Sequence, residues 1–239
     1  VSPVLATAAR AAEAIEAARC STAPVDLSWL PPPAATDDWS LADDALRFLA
    51  RLVATAGATR VLELGSGVST RVLARACAGR GAGARVLALE NDPVFADRTR
   101  RALAGDGLAD LAQVLLTPVV VRRWHGHHVP VYHLTKATLD HFGRPDVVLV
   151  DGPPMPLGGR EGALLQAVHL ARPGTIVVLD DADREGERSA LARVQRVFGA
   201  AVTVVRLDGF AKGLAAVVVR AAVGGPSVPP RPAFGERGG

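Results

Sequence analysis

The sequence predicts an α/β domain: a seven-stranded, mostly parallel sheet with helices on both faces, an antiparallel strand at one edge, and helices ahead of the sheet. Three observations predict it. From residue 60 onward, short apolar runs alternate with segments of helical period. The runs DVVLVD (146–151) and TIVVLD (175–180) are apolar between their polar ends, as in strands covered on both faces. A Gly-Ser-Gly turn at 65–67 follows the first run and precedes a helix, the arrangement found where open α/β sheets bind ligands.

The elements follow in order. Val4, Leu5, Ala8, Ala12, Ile15 and Ala18 recur at helical spacing, which predicts a helix over 3–20. A Pro-rich connector then leads to Ser40, a good N-cap, with Asp43 and Asp44 in the first turn of a second helix bearing Leu41, Ala45, Leu49, Leu52 and Val53. Strands are predicted at 60–64, 85–90, 112–117, 146–151, 174–180, 201–206 and 214–220, and helices near 69–79, 93–104, 136–142, 160–171 and 186–198. The last two strands are close enough in sequence to pair antiparallel. The organisation expected is an N-terminal helix and connector (1–39) serving as a lid or accessory segment, a main domain (40–222), and a disordered Pro/Gly-rich tail (223–239).

Composition narrows the function. The chain has 239 residues and a formal charge of only +3, and its arginines are scattered without interleaved aromatics. No nucleic-acid surface is expected from that. Cys20 and Cys77 are the only cysteines, too few for a disulfide framework or a thiolate metal site. Arg10, Glu13, Glu16 and Arg19 interrupt any signal-like apolar core, and no run is long enough to span a membrane. A cytoplasmic protein with a small-molecule partner is expected. Homo-oligomerisation is left open.

The first strand carries an acid, Glu63, where a buried strand should not tolerate one. Gly65 and Gly67 let the backbone turn sharply beside a ligand. Glu90 closes the second strand, at the spacing that suits a carboxylate accepting bonds from two ribose hydroxyls. A dinucleotide site wants a third glycine, and here that place is Thr70; Glu63 would also repel a diphosphate. S-adenosylmethionine carries a sulfonium and an ammonium and no phosphate, so an acid beside the turn favours it. An NAD-dependent oxidoreductase is the competing reading, and a non-catalytic cofactor-fold protein or an aminopropyl transferase stands further back.

At these residues the chain resembles class I S-adenosylmethionine-dependent methyltransferases, with VLELGSGVST (61–70) like their first motif and LALEND (87–92) like their second. The resemblance implies a Rossmann-like fold, with Glu63, Gly65, Ser66, Gly67 and Thr70 on the methionine side of the cofactor, Glu90 at the ribose and Asn91 near the adenine. Asp151 and the pair Asp180–Asp181 end strands that should be neighbours. Three acids at one rim repel, and a divalent cation such as Mg²⁺ would relieve the repulsion and activate an acceptor hydroxyl. The pattern resembles metal-dependent O-methyltransferases, with Asp151, Asp180 and Asp181 as metal ligands and Asp151 at the reacting centre. Pro154 and Pro153 stand where relatives carry a basic lysine or a second aspartate, so the match is partial. The D-G-P-P turn, Gly159–Arg160 and the Asp pair are similar to a group of small class I methyltransferases. A metal-independent N-methyltransferase is the nearest alternative. The RRWHGHHVPVYH segment reads as a hairpin, with His127 and Val129 on one face, and His127 and His128 are candidate general bases. Arg160 reads either as an anion-binding group or as a solvated helix residue. Trp39 and Ser40 are candidate lid residues, and Trp29 and Trp39 are candidate core residues.

Overall fold

A computed structural model describes residues 3–31, 41–81 and 83–223. Ser40, Trp39 and the tail from residue 224 lie outside the described residues, and so do the cap, lid and disorder expected of them.

The chain opens with α1 (Pro3–Cys20) and α2 (Asp43–Thr55). It continues through β1 (Arg60–Leu64), α3 (Val68–Ala78), β2 (Arg85–Glu90), α4 (Pro93–Gly105) and β3 (Ala112–Leu116). A hairpin, β4 (Val119–Trp124) and β5 (His127–Tyr132), precedes α5 (Lys136–Phe142) and β6 (Val147–Val150). The rest is α6 (Glu161–Leu170), β7 (Ile176–Asp180), α7 (Glu185–Phe198), β8 (Val202–Leu207) and β9 (Leu214–Val219).

The main sheet has seven strands in the order β3-β2-β1-β6-β7-β9-β8. All neighbours pair in parallel except β9, which runs antiparallel to both β7 and β8. From β1 the chain winds outward through β2 and β3; from β6 it winds the other way. The reversal opens a crevice beyond the carboxyl ends of β1 and β6, where ligands bind in open α/β sheets.

Side-chain alternation divides the core. Val61, Val86, Val147 and Val178 face the helices α1 to α4, and Leu62, Leu87, Val148 and Val177 face α6 and α7. Each central strand is therefore buried on both faces, as its apolar sequence requires. Helix α1 buries Ala8, Ile15 and Ala18 as its spacing predicts, but Ala11 and Ala14 complete the face while Ala12 is exposed. Small residues there let α1 lie close on α2, and the Thr55 hydroxyl donates to the Ala14 carbonyl at 3.0 Å. Helix α2 buries Ala45, Leu49, Leu52 and Val53 as expected, while Leu41 is buried just ahead of the helix.

The hairpin packs over the second face against α6. His125 and Gly126 have φ of 46° and 85°, the two positive values a two-residue type I′ turn demands. Gln166 of α6 meets the far end of the hairpin. It accepts from the Tyr132 N–H at 3.0 Å and donates to the Tyr132 carbonyl at 2.7 Å, so both backbone groups are satisfied in the core. Among the described residues no helix is long and apolar enough to cross a membrane.

Candidate active site

The glycine turn after β1 is built around Glu63. Alternation points this carboxyl inward, toward the first turn of α3, where the hydroxyls of Ser69 and Thr70 donate to its two oxygens. Thr70 in turn accepts from the Gly67 N–H at 2.9 Å. Burial pushes the Glu63 carboxyl up to about 7, opposed by those two hydroxyl bonds. Glu63 and Thr70 are both fully buried and do not line the cleft. They stand behind the turn and hold it, whereas Gly65 and Ser66 line the cleft. Gly65 has φ of 117°, and a side chain there would press on the Gly152 backbone at 3.3 Å, so the close approach of the turns after β1 and β6 requires glycine at this position.

Glu90 ends β2 with its side chain over the cleft. One oxygen accepts from the backbone N–H groups of Asn91 and Asp92 at 2.7 and 2.9 Å, and the other from the Ser66 hydroxyl at 2.9 Å. These bonds fix the carboxylate while leaving lone pairs for a ligand diol. Asn91 lines the same cleft.

Two aromatic walls were not legible in the sequence. Phe95, in the first turn of α4, lies between the main cleft and a smaller cavity by Gly67 that Pro31 also lines. Tyr132 sends its hydroxyl under the turn: a side chain on Gly152 would meet that oxygen at 2.4 Å. Burial and the charges of Glu90, Asp151 and Glu63 push the Tyr132 phenol far up, so it is a neutral donor.

Asp151, Asp180 and Asp181 converge as their strands predict, offering oxygens within 4.8 Å of one another. The cation they meet is Arg160. Its guanidinium bonds to Asp151 at 2.8 Å, Asp181 at 2.7 Å and Glu187 at 3.2 Å, and its Nε donates to the Asp151 carbonyl at 2.8 Å. Arg160 is therefore neither solvated nor open to an anion; it is buried among acids. Burial disfavours its charge, but Asp151 and Asp181 outweigh that and raise its pKa. Arg184 adds a second contact to Asp181 at 2.9 Å. Burial holds the Asp151 carboxyl well above the ordinary range despite Arg160, and raises Asp180 to about 6 with Asp181 beside it.

The histidines lie elsewhere. His127 and His128 are exposed near the hairpin's turn, and neither lines the cleft. Tyr132 reaches the cleft from the other end of β5, so His127 is about 16 Å of extended chain away. They are not placed to serve as bases. Trp29 is half-buried, packs against the edge of the core and stacks on Arg75, 3.8 Å from the ring centre.

The cleft joining these groups has a volume of about 490 Å³ and runs from Glu90 past Gly65 to Asp151 and Arg184. A family model described as a methyltransferase domain matches residues 62–182, just over half of the chain. The chain belongs to this methyltransferase family. The resemblance carried by the two cofactor motifs to class I S-adenosylmethionine-dependent methyltransferases holds at the level of family and fold. Three solved structures share the methyltransferase's fold. The cofactor-bound protein Rv0187 from MTB has 24% identity and a TM-score of 0.55, over 92% of this chain and 91% of that one. An O-methyltransferase from Bacillus cereus in complex with SAH has 22% identity and a TM-score of 0.55, over 90% of each chain. The O-methyltransferase TomG from Streptomyces achromogenes, involved in tomaymycin synthesis and in complex with SAM, has 20% identity and a TM-score of 0.55, over 92% and 90%. No curated protein matches the methyltransferase in sequence.

Proposed function

We propose that this methyltransferase transfers a methyl group from S-adenosylmethionine to a hydroxyl of a small-molecule acceptor. The observation that carries the reading is the continuity of one cleft from a ribose-suited carboxylate, Glu90, to a carboxylate with a spare oxygen, Asp151. When bound, S-adenosylmethionine supplies an electrophilic methyl on a positively charged sulfur. Glu90 accepts from the ribose hydroxyls, Phe95 and Asn91 flank the base, and the buried charge of Glu63 favours the cation from behind the turn. Asp151 has one oxygen fixed by Arg160, and the other takes the proton from the acceptor hydroxyl as the methyl arrives. Its raised pKa suits a proton acceptor. A cleft of about 490 Å³ is of small-molecule size. Solved O-methyltransferases of the same fold support oxygen as the acceptor atom.

Divalent-metal assistance was expected from the same acids. Their surroundings fit it poorly, because Arg160 already bridges Asp151 and Asp181. No step of the reaction is routed through a metal.

Calorimetry tests the cofactor. Glu90→Ala should weaken S-adenosylmethionine binding by about 1.5–3 kcal/mol, the loss of a charge-assisted hydrogen bond. Unchanged affinity would remove Glu90 from the site. Asp151→Asn should then keep most of that affinity and lose methyl transfer to a panel of hydroxyl acceptors. A product methylated only on nitrogen would overturn the choice of acceptor atom.

A further inference from the structure

Four acids, Asp151, Asp180, Asp181 and Glu187, crowd the end of the cleft, and three of them touch one guanidinium. Arg160 stands just ahead of α6, nine residues after Asp151, and its side chain is only 8% exposed. Two features show that it is built in rather than folded over. Its Nε donates to the main-chain carbonyl of Asp151, so the backbone of the β6 turn helps fix its orientation. Its two terminal nitrogens then go to different strand ends, one to Asp151 after β6 and one to Asp181 after β7. This is a fork used as a bridge, with planar donors matched to carboxylates on both sides.

We infer that Arg160 is the resident cation of this site, occupying by a covalently tethered guanidinium the place that a divalent metal would take between Asp151 and Asp181. The inference rests on the reading of the cleft as a methyl-transfer site, because it concerns the acceptor end of it. A cation is favoured there because it offsets the repulsion among crowded buried carboxylates. Arg160 supplies that charge permanently and cannot be removed by a chelator. It also repels a second cation. A metal entering the cluster would sit beside a fixed positive charge, and Arg184, bonded to Asp181, adds another. The catalytic consequence is that one oxygen of Asp151 stays oriented and free for an acceptor proton, rather than being consumed as a metal ligand.

The test uses Mn²⁺ as the probe, followed by the loss of its free-ion electron paramagnetic resonance signal, on the full chain with and without S-adenosylhomocysteine. The wild type should take up no stoichiometric Mn²⁺ at millimolar concentration. Arg160→Met leaves the acids without their bridge, and should gain Mn²⁺ affinity by at least about 100-fold, a gain abolished by adding Asp180→Asn. Arg160→Lys keeps one positive charge and should remain unable to bind, which serves as the control if the Met variant is poorly folded by circular dichroism. One equivalent of Mn²⁺ bound tightly by the wild type and lost in Asp180→Asn would overturn the inference. So would a folded Arg160→Met variant that binds no better than wild type. Calorimetry with S-adenosylhomocysteine on the same samples separates the two readings. Failure to bind it would sink the methyl-transfer reading, whereas the Mn²⁺ result bears on Arg160 alone.

Discussion

Glu63 shows how one buried carboxyl can serve a ligand it does not touch. Its two oxygens are taken by Ser69 and Thr70, and Thr70 passes the constraint on to the Gly67 N–H. With a pKa of about 7, the carboxyl is partly protonated at neutrality in the free protein. A cationic cofactor on the other side of the turn favours the ionised form, so binding releases a proton wherever the group was protonated beforehand. The sign follows. Affinity for S-adenosylmethionine should rise as the pH climbs toward about 7 and level off above, where Glu63 is already charged. Glu63→Gln should flatten that rise. Calorimetry in two buffers of different ionisation enthalpy measures the released proton directly. A slope unchanged in the Gln variant would assign the proton to another group, with Asp180, at about 6, the next to examine. The sequence made Glu63 conspicuous, as an acid inside an apolar strand, but suggested direct contact with the cofactor. Only the period of the strand against α3 reveals that it faces the hydroxyls.

Among the elements, α6 has the widest reach. Its sequence, EGALLQAVHL, reads as a buried helix, and its one buried polar residue is Gln166. The amide pairs with both backbone groups of Tyr132, fixing where β5 ends and hence where the phenol enters the cleft. Gln166→Leu would leave a buried N–H and a buried carbonyl unpaired. Each should cost about 1–3 kcal/mol, so denaturant unfolding should show a loss of about 2–6 kcal/mol if the end of β5 stays put. A loss below about 0.5 kcal/mol would mean that the end of β5 finds other partners. Strands β6, β7 and β9 were legible because burial on both faces leaves an unbroken apolar signature. Strands β4 and β5 were legible only as a hairpin, since Arg122, Arg123, His127 and His128 face solvent and mask any alternation. The role of Arg160 was not legible at all. Its partners lie nine, 21 and 27 residues away, and nothing in a linear pattern distinguishes a guanidinium buried among acids from one in water.

At the scale of the whole molecule, the motifs located the cleft correctly because they sit at the ends of strands. Topology then gathers Gly65, Glu90, Asp151 and Asp180 at one rim whatever the helices do in detail. The same topology places β9, the last strand, between β7 and β8 rather than outside them. Its six residues are all buried, and β8 has no other partner in the sheet. A chain ending at Gly213 should therefore be insoluble, because it exposes the edge of β7 and leaves β8 unpaired. Recovery of a soluble, folded product from that truncation, judged by gel filtration and circular dichroism, would contradict this.

The position of β9 also bears on synthesis. A chain emerging from the ribosome can close β1, β2, β3, β6 and β7 in order, but then has to wait. Strand β8 is made before the strand that joins it to the rest of the sheet exists. During that interval the growing chain carries an open, apolar sheet edge, a natural target for chaperones and for neighbouring nascent chains. A pause after β7 has left the ribosome and before β9 follows it would lengthen that exposure, and would lower the yield of soluble enzyme without changing a single amino acid.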